Sequence, residues 1–298
     1  MIRTEQASLI LDSKSELGEG PHWDSVSGTL YFVDIIGQMA HAYDPRGGKH
    51  DVHRFGLMPS SVIPMADGRW VLTMQDGIYS YSPGDGALEV LAMVEEDLPG
   101  NRFNDAKCDP MGRLWAGTMD MSFRAFTGSL YRMEPDGGVR RMLGDVGCSN
   151  GLSWDESKSS MYYIDTMKRE VYGFHYETET GEISGRRKLL DWPEDAGSPD
   201  GMTIDAEGML WIAHFGGGRV SRWNPANGEL LGEIRVAAPN VTSCVFGGES
   251  LDELYITTAR TGLTPSQLEA YPHAGGVFAA KLGVTGTPSR CFGGRDVR

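Results

Sequence analysis

One local pattern recurs six times along this chain: a polar turn, Gly-containing in five of the six, then a short strand rich in β-branched and aromatic residues. The strands begin at Leu30 (LYFVDI), Trp70 (WVLTMQ), Leu114 (LWAGTM), Met161 (MYYIDT), Leu210 (LWIAHF) and Leu254 (LYITTA), at intervals of 40, 44, 47, 49 and 44 residues. An all-β repeat of about 40–50 residues is the mark of a propeller blade, since a unit of that length cannot bury its apolar faces alone. Each repeat continues into a third strand, as at residues 77–81, 129–133, 170–176, 219–223 and 276–281. Turns of Gly, Pro, Asp and Asn follow, such as Pro83-Gly84-Asp85-Gly86 and Pro135-Asp136-Gly137-Gly138. An outer strand closes the unit, as at 88–93, 139–143, 188–190 and 231–236. The expected fold is all-β, a six-bladed β-propeller with four-stranded blades. It takes up residues 1–298 as one domain, because no biased linker interrupts the repeats.

Helical periodicity is almost absent. The exception is residues 264–271, where Thr264 suits an N-cap, Pro265 the first helical position and Gln267 a capping box. Residues 7–11 are apolar and suit the outer strand of the last blade, closing the ring; residues 290–292 are the alternative.

The bulk properties remove several partner classes. The chain carries 27 basic and 41 acidic residues, a net charge of −14, with no Lys/Arg run, which argues against nucleic acid and anionic membrane surfaces. No apolar run approaches a membrane span, and the N-terminus lacks a signal-peptide hydrophobic stretch. Cys108, Cys148, Cys244 and Cys291 are scattered without a C-x-x-C pair, as expected of reduced, mostly buried thiols in a cytoplasmic protein. Oligomeric state leaves no signature in the sequence.

The functional signal lies in the phase of the repeats. Trp23-Asp24, Cys108-Asp109, Trp154-Asp155 and Ile204-Asp205 are equivalent turn pairs. Four residues before the first member of each stand Glu19, Asn104, Asn150 and Asp200; the weaker repeats place Ser60 and Thr242 there. This phase opens the first strand of each blade, the strand that lines a propeller's channel. Asp or Asn ahead of a strand is often only a turn former. Four amide or carboxylate oxygens at one phase instead form a ring converging on the axis. Carboxylates gathered there repel unless a cation lies between them, and all-oxygen donors favour a hard divalent ion. Calcium is the first expectation, with zinc, manganese or magnesium as alternatives. Gly20, Gly151 and Gly201 follow three of these residues and let the backbone turn close to the axis. No phosphate loop, EF-hand loop, H-E-x-x-H or G-x-S-x-G is present. His214 reads as a satisfied sheet histidine, and Trp154, Trp211 and Trp223 as packing between blades.

Several blocks resemble one family. Ser15-Glu16-Leu17-Gly18-Glu19-Gly20-Pro21-His22-Trp23 is similar to the opening signature of the regucalcin/gluconolactonase (senescence marker protein) family. Asn101-Arg102-Phe103-Asn104-Asp105, Ala116-Gly117-Thr118-Met119, Ser149-Asn150-Gly151-Leu152-Ser153-Trp154 and Pro199-Asp200-Gly201-Met202 match further blocks in order. The resemblance implies one divalent ion, often calcium or zinc, held by Glu19, Asn150 and Asp200. It also implies that Arg102 and Asn104 contact a sugar-lactone substrate. The chain departs from the family after Gly-Thr-Met: regucalcin relatives carry a substrate-contacting Glu where this sequence has Ser122. Asp120 is the candidate to replace it.

The expected activity is therefore metal-dependent opening of a small-molecule sugar lactone to the aldonic acid. Asp200 serves as both metal ligand and general base, and Arg102 and Asn104 hold the sugar. The rival expectation is a non-catalytic, calcium-binding regulatory propeller.

Overall fold

A computed structural model describes residues 3–294. Six sheets, each built on four antiparallel strands, follow one another around a central axis, and each is led by its innermost strand. Those inner strands are Gly18–Asp24, Ser61–Pro64, Asn101–Cys108, Ser149–Asp155, Ser198–Ile204 and Asn240–Gly247. Blades 1 to 4 are built from consecutive strands. Blade 6 takes its outer strand from Ser8–Leu11, which pairs antiparallel with Val277–Lys281, so the two chain ends are joined in one sheet. Residues 290–292 do not fill that role; Phe292 instead bridges Met65, in the turn below blade 2. An unforeseen strand, Arg3–Gln6, adds in parallel to the outer edge of blade 5 and makes that sheet five-stranded. The helix Pro265–Ala270 has its N-cap at Thr264 and the reciprocal capping box with Gln267.

The apolar residues of the repeats are buried between sheets. Six clusters of buried apolar side chains occur among the described residues, one at each contact between neighbouring blades. Trp154 packs between blades 3 and 4, Trp223 between 4 and 5, and Trp211 between 5 and 6. Burial at about 25 cal/mol per Å² of apolar surface makes these seams the main attraction holding the ring shut. Cys108, Cys148 and Cys244 are buried and unpaired, and Cys291 is half-buried and unpaired. No helix of the described residues is long and apolar enough to cross a membrane.

The two ends of the channel differ. At one end, tight Asp-headed turns leave the inner strands, and residues 282–294 run across them. Along that path the backbone amides of Gly286, Phe292 and Gly293 donate to the carbonyls of Leu251, Pro64 and Gly112. At the other end the inner strands begin and the second strands finish, and there the channel widens into a cavity.

Candidate functional site

The cavity has a volume of about 650 Å³. Its floor holds Glu19, Arg102, Asn104, Asn150 and Asp200, contributed by blades 1, 3, 4 and 5. A local device aims these side chains inward. The register between first and second strands slips at the equivalent place in blades 1, 3, 4, 5 and 6: between Glu19 and His22, Phe103 and Ala106, Asn150 and Leu152, Pro199 and Met202, and Val241 and Ser243. A β-bulge of this kind bends the strand and redirects one side chain. Blade 2 pairs without a slip.

The glycines expected to permit close approach do so. A Cβ on Gly20, which has φ +56°, would lie 3.0 Å from the Ser60 carbonyl of blade 2. On Gly151 it would meet the Asp200 carbonyl of blade 5 at 2.9 Å. On Gly201 it would press on Ser243 of blade 6, 2.8 Å from that residue's Cα. We predict that Gly201→Ala forces the blade 5 and 6 inner strands apart and costs about 1–3 kcal/mol, as overpacking does. Chemical denaturation would measure it; an unchanged midpoint would show the seam to be more yielding than the geometry implies.

The floor is nearly sealed from water: Glu19 and Asp200 are each 5% exposed and Asn150 3%. The Glu19 and Asp200 carboxyl groups share the floor, each within reach of the other's charge. The Asn150 amide bonds Asp200 and also donates from Nδ2 to Thr166 Oγ1 at 3.1 Å. The Thr166 hydroxyl in turn donates to the Pro199 carbonyl at 2.7 Å. Burial, followed by the Asp105 charge, pushes the Glu19 carboxyl up to about 8, against the opposing Gly20 amide and Arg102. Burial, followed by the Glu19 charge, lifts Asp200 well above the usual carboxylate range. Two acids held this close and this dry are strained unless a proton or a cation sits between them. Because an amide's oxygen and nitrogen are near-isosteric, a half-turn of Asn150 would complete a set of three oxygen side chains. Such a set can hold a hard divalent cation. Among the described residues no group of three or more His, Cys, Asp or Glu is arranged to hold an ion. The third donor here is neutral.

Arg102 and Asn104 form a unit beside this pair. Arg102 Nη1 donates to Asn104 Oδ1 and to the Phe103 carbonyl, both at 2.8 Å. Asn104 Nδ2 donates to the Ser149 carbonyl at 2.8 Å. Asn104 thus positions the guanidinium, which faces the cavity and feels the Glu19 and Asp200 charges.

Two expected members of the axial phase stand elsewhere. Ser60 Oγ is engaged with Thr73 Oγ1 at 2.8 Å, and Thr242 Oγ1 donates to the Gly18 carbonyl at 2.6 Å; neither lines the cavity. Asp120 is a correction. Its carboxylate accepts from Ser122 Oγ at 2.6 Å and from the amides of Ser122, Arg124 and Ala125, each at 3.0 Å. These bonds hold it below its ordinary pKa and turn it into its own loop, away from the cavity wall. His214 is bonded to Ser221 and Ala196 outside the cavity.

The residues missed by sequence reasoning share a position of their own. Ile36, Met121, Phe123, Thr166, Met167 and Phe215 lie at or just after the ends of second strands, and they form the cavity's upper wall. The signal was available, because an antiparallel second strand must finish where the first begins.

The chain is similar to known proteins. The family described as SMP-30/Gluconolactonase/LRE-like region matches residues 17–260. The chain is 40% identical over 288 residues to the Bacillus subtilis protein named "Putative sugar lactone lactonase YvrE", covering 97% of this chain and 99% of that one. It is 38% identical to Xenopus laevis regucalcin, covering 96% and 97%. Among solved structures it is similar to the calcium-binding protein regucalcin from Agrobacterium tumefaciens, with a TM-score of 0.93 and 27% identity over 98% of this chain and 99% of that one.

Proposed function

The chain belongs to the SMP-30/gluconolactonase/LRE-like family, and from that premise we propose that it is a divalent-metal-dependent lactonase that opens a sugar lactone to its hydroxy acid. The observation that carries this reading is the meeting of Glu19, Asn150 and Asp200, from three different blades, beside the Arg102 guanidinium.

Glu19, Asn150 and Asp200 would hold the cation, calcium first, through oxygen. When bound, such an ion supplies Lewis-acid polarisation of the lactone carbonyl and neutralises charge developing on its oxygen. The protein's own groups do the rest. Asp200 takes a proton from the attacking water as its oxygen bonds to the carbonyl carbon. The ring C–O bond then breaks, its electron pair staying on the ring oxygen, which accepts a proton and becomes the product hydroxyl. Arg102, braced by Asn104, holds the ring or a substituent hydroxyl by a charge-assisted hydrogen bond. The buried floor keeps bulk water from competing for these donors.

An indicator assay for acid release, run on glucono-δ-lactone and other aldonolactones with and without chelator, tests the reading. Turnover that disappears with chelator and returns with calcium or zinc is expected. If no lactone is opened after metal is restored, while calcium still binds, the rival reading as a calcium-binding protein prevails; relatives named regucalcin, one of them described as a calcium-binding protein, speak for that rival.

Two further outcomes follow. Calcium at 100 times its Kd stabilises the chelator-treated protein by about 2.7 kcal/mol, read as a rise in melting temperature. Arg102→Ala raises KM about 10- to 100-fold with a smaller change in kcat, the worth of one hydrogen bond to a charged group. A fall confined to kcat would instead place Arg102 in transition-state stabilisation.

A further inference from the structure

The wall above the polar floor has a character of its own. Ile36, Met58, Met121, Phe123, Met167 and Phe215 face the same cavity as Asp200 and Arg102. Two of these are held out toward water, Phe123 at 55% exposed and Ile36 at 48%. Contiguous exposed apolar surface around a polar site is a feature of binding, because its burial awaits a ligand.

The loop that presents Phe123 is built rather than slack. Phe123 adopts φ +53°, a left-handed conformation that an aromatic residue rarely takes. Its amide donates to the Asp120 carbonyl at 3.0 Å, and the Met121 amide donates to the Gly100 carbonyl at 2.9 Å. The Asp120 carboxylate gathers the amides of Ser122, Arg124 and Ala125 around it. Backbone strain held by so many bonds persists where a side chain must be presented in one direction.

Several polar groups of the same wall are already engaged. The Thr166 hydroxyl donates to Pro199. Arg169 donates to the carbonyls of Pro193, Glu194 and Gly197. Ser122, which lies between Met121 and Phe123 but does not line the cavity, gives its hydroxyl to Asp120. A polyhydroxylated ring reaching upward would meet thioether, alkyl and phenyl surface with few free hydrogen-bonding partners.

We propose that this cavity accepts, and prefers over aldonolactones, lactones that carry an apolar alkyl or aryl arm lying along Met58, Met121, Phe123 and Met167. The inference rests on the lactonase reading above and keeps its chemistry: the same ring C–O bond is broken by water, and only the substituent differs.

The test is a series of γ-lactones from γ-valerolactone to γ-decalactone, with glucono-δ-lactone alongside, all with calcium present. A methylene removed from water is worth about 0.8 kcal/mol when fully buried, so kcat/KM should rise about 2- to 4-fold per added CH2 until the wall is covered. In Phe123→Asn, which keeps a residue tolerant of positive φ, and in Met121→Gln, which keeps length, the slope with chain length should flatten. A flat series in the wild type, with glucono-δ-lactone opened faster than any alkyl lactone, overturns this inference and leaves the lactonase reading standing. A steep slope that neither variant changes overturns the assignment to this wall. Failure to open any lactone of either kind overturns the lactonase reading and this inference with it.

Discussion

Asp200→Ala lowers kcat/KM for lactone opening by at least about 10³-fold, since it removes both a general base, worth about 10²–10⁴ by itself, and one of two charged cation ligands. Calcium binding measured by calorimetry is lost in the same variant. The stability of the chelator-treated protein moves the other way. Asp200 is buried against Glu19, and like charges so placed raise each other's cost of ionisation. Removing one relieves that repulsion, so the melting temperature of the cation-free variant holds or rises while activity vanishes. That opposition distinguishes a functional acid from a structural one. Near-native rates in Asp200→Ala with calcium present would falsify the assignment of the base.

Asp109→Ala has the largest expected effect on stability. Asp109 is fully buried in the turn that ends the blade 3 inner strand, at the opposite end from the cavity. Its Oδ1 accepts from the amides of Met111 at 2.9 Å and Arg113 at 3.0 Å. Its Oδ2 accepts from Arg113 Nε at 2.6 Å, Trp115 Nε1 at 2.9 Å and the Tyr176 hydroxyl of blade 4 at 2.8 Å. Alanine leaves the Arg113 guanidinium buried without its counter-charge and two aromatic donors without an acceptor. Breaking a buried pair in this way costs about 3–5 kcal/mol. Asp205 repeats the arrangement in blade 5, accepting from Trp211 Nε1 at 2.9 Å and Arg222 Nε at 2.8 Å. Arg222, however, keeps Glu207 as a second partner at 2.6 Å, so Asp205→Ala costs less. Urea denaturation of the two variants checks both the size and the order. A loss below about 1 kcal/mol at Asp109 would mean that water or Glu179 and Thr178 carbonyls already satisfy Arg113.

Most of the scaffold was legible because its physics is local. Strand periodicity, turn residues and the capping box at Thr264 depend on neighbours in the chain, and the structure carries them within a few residues of expectation. The convergence of Glu19, Asn104, Asn150 and Asp200 was legible for a related reason: in a repeat protein, equal phase means equal place, whatever the separation in sequence. Arg102 came from resemblance alone, and the apolar wall from neither source.

Asp120 shows where such reasoning stops. Its position at the end of the second strand brings it to the rim, but a carboxylate two residues from backbone amides has a choice of partners. Here the amides of its own loop compete successfully with the cavity. Ser60 and Thr242 illustrate the same limit. They have the right phase, yet blade 2 lacks the bulge that would turn Ser60 inward, and Thr242 is claimed by the Gly18 carbonyl across the ring seam.

The sequence by itself determined the number of blades, their strand order and the ring of oxygen-bearing residues, because each follows from a period and a phase written in neighbouring side chains. Only the tertiary structure decided how the ring closes, through Ser8–Leu11 rather than the tail, and which members of the phase reach the axis. It also decided that a wall of thioether and phenyl groups stands over the polar floor. Those outcomes depend on register slips and on competition for hydrogen-bond partners between segments more than two hundred residues apart, such as Thr242 and Gly18 at a separation of 224. No local pattern carries that information.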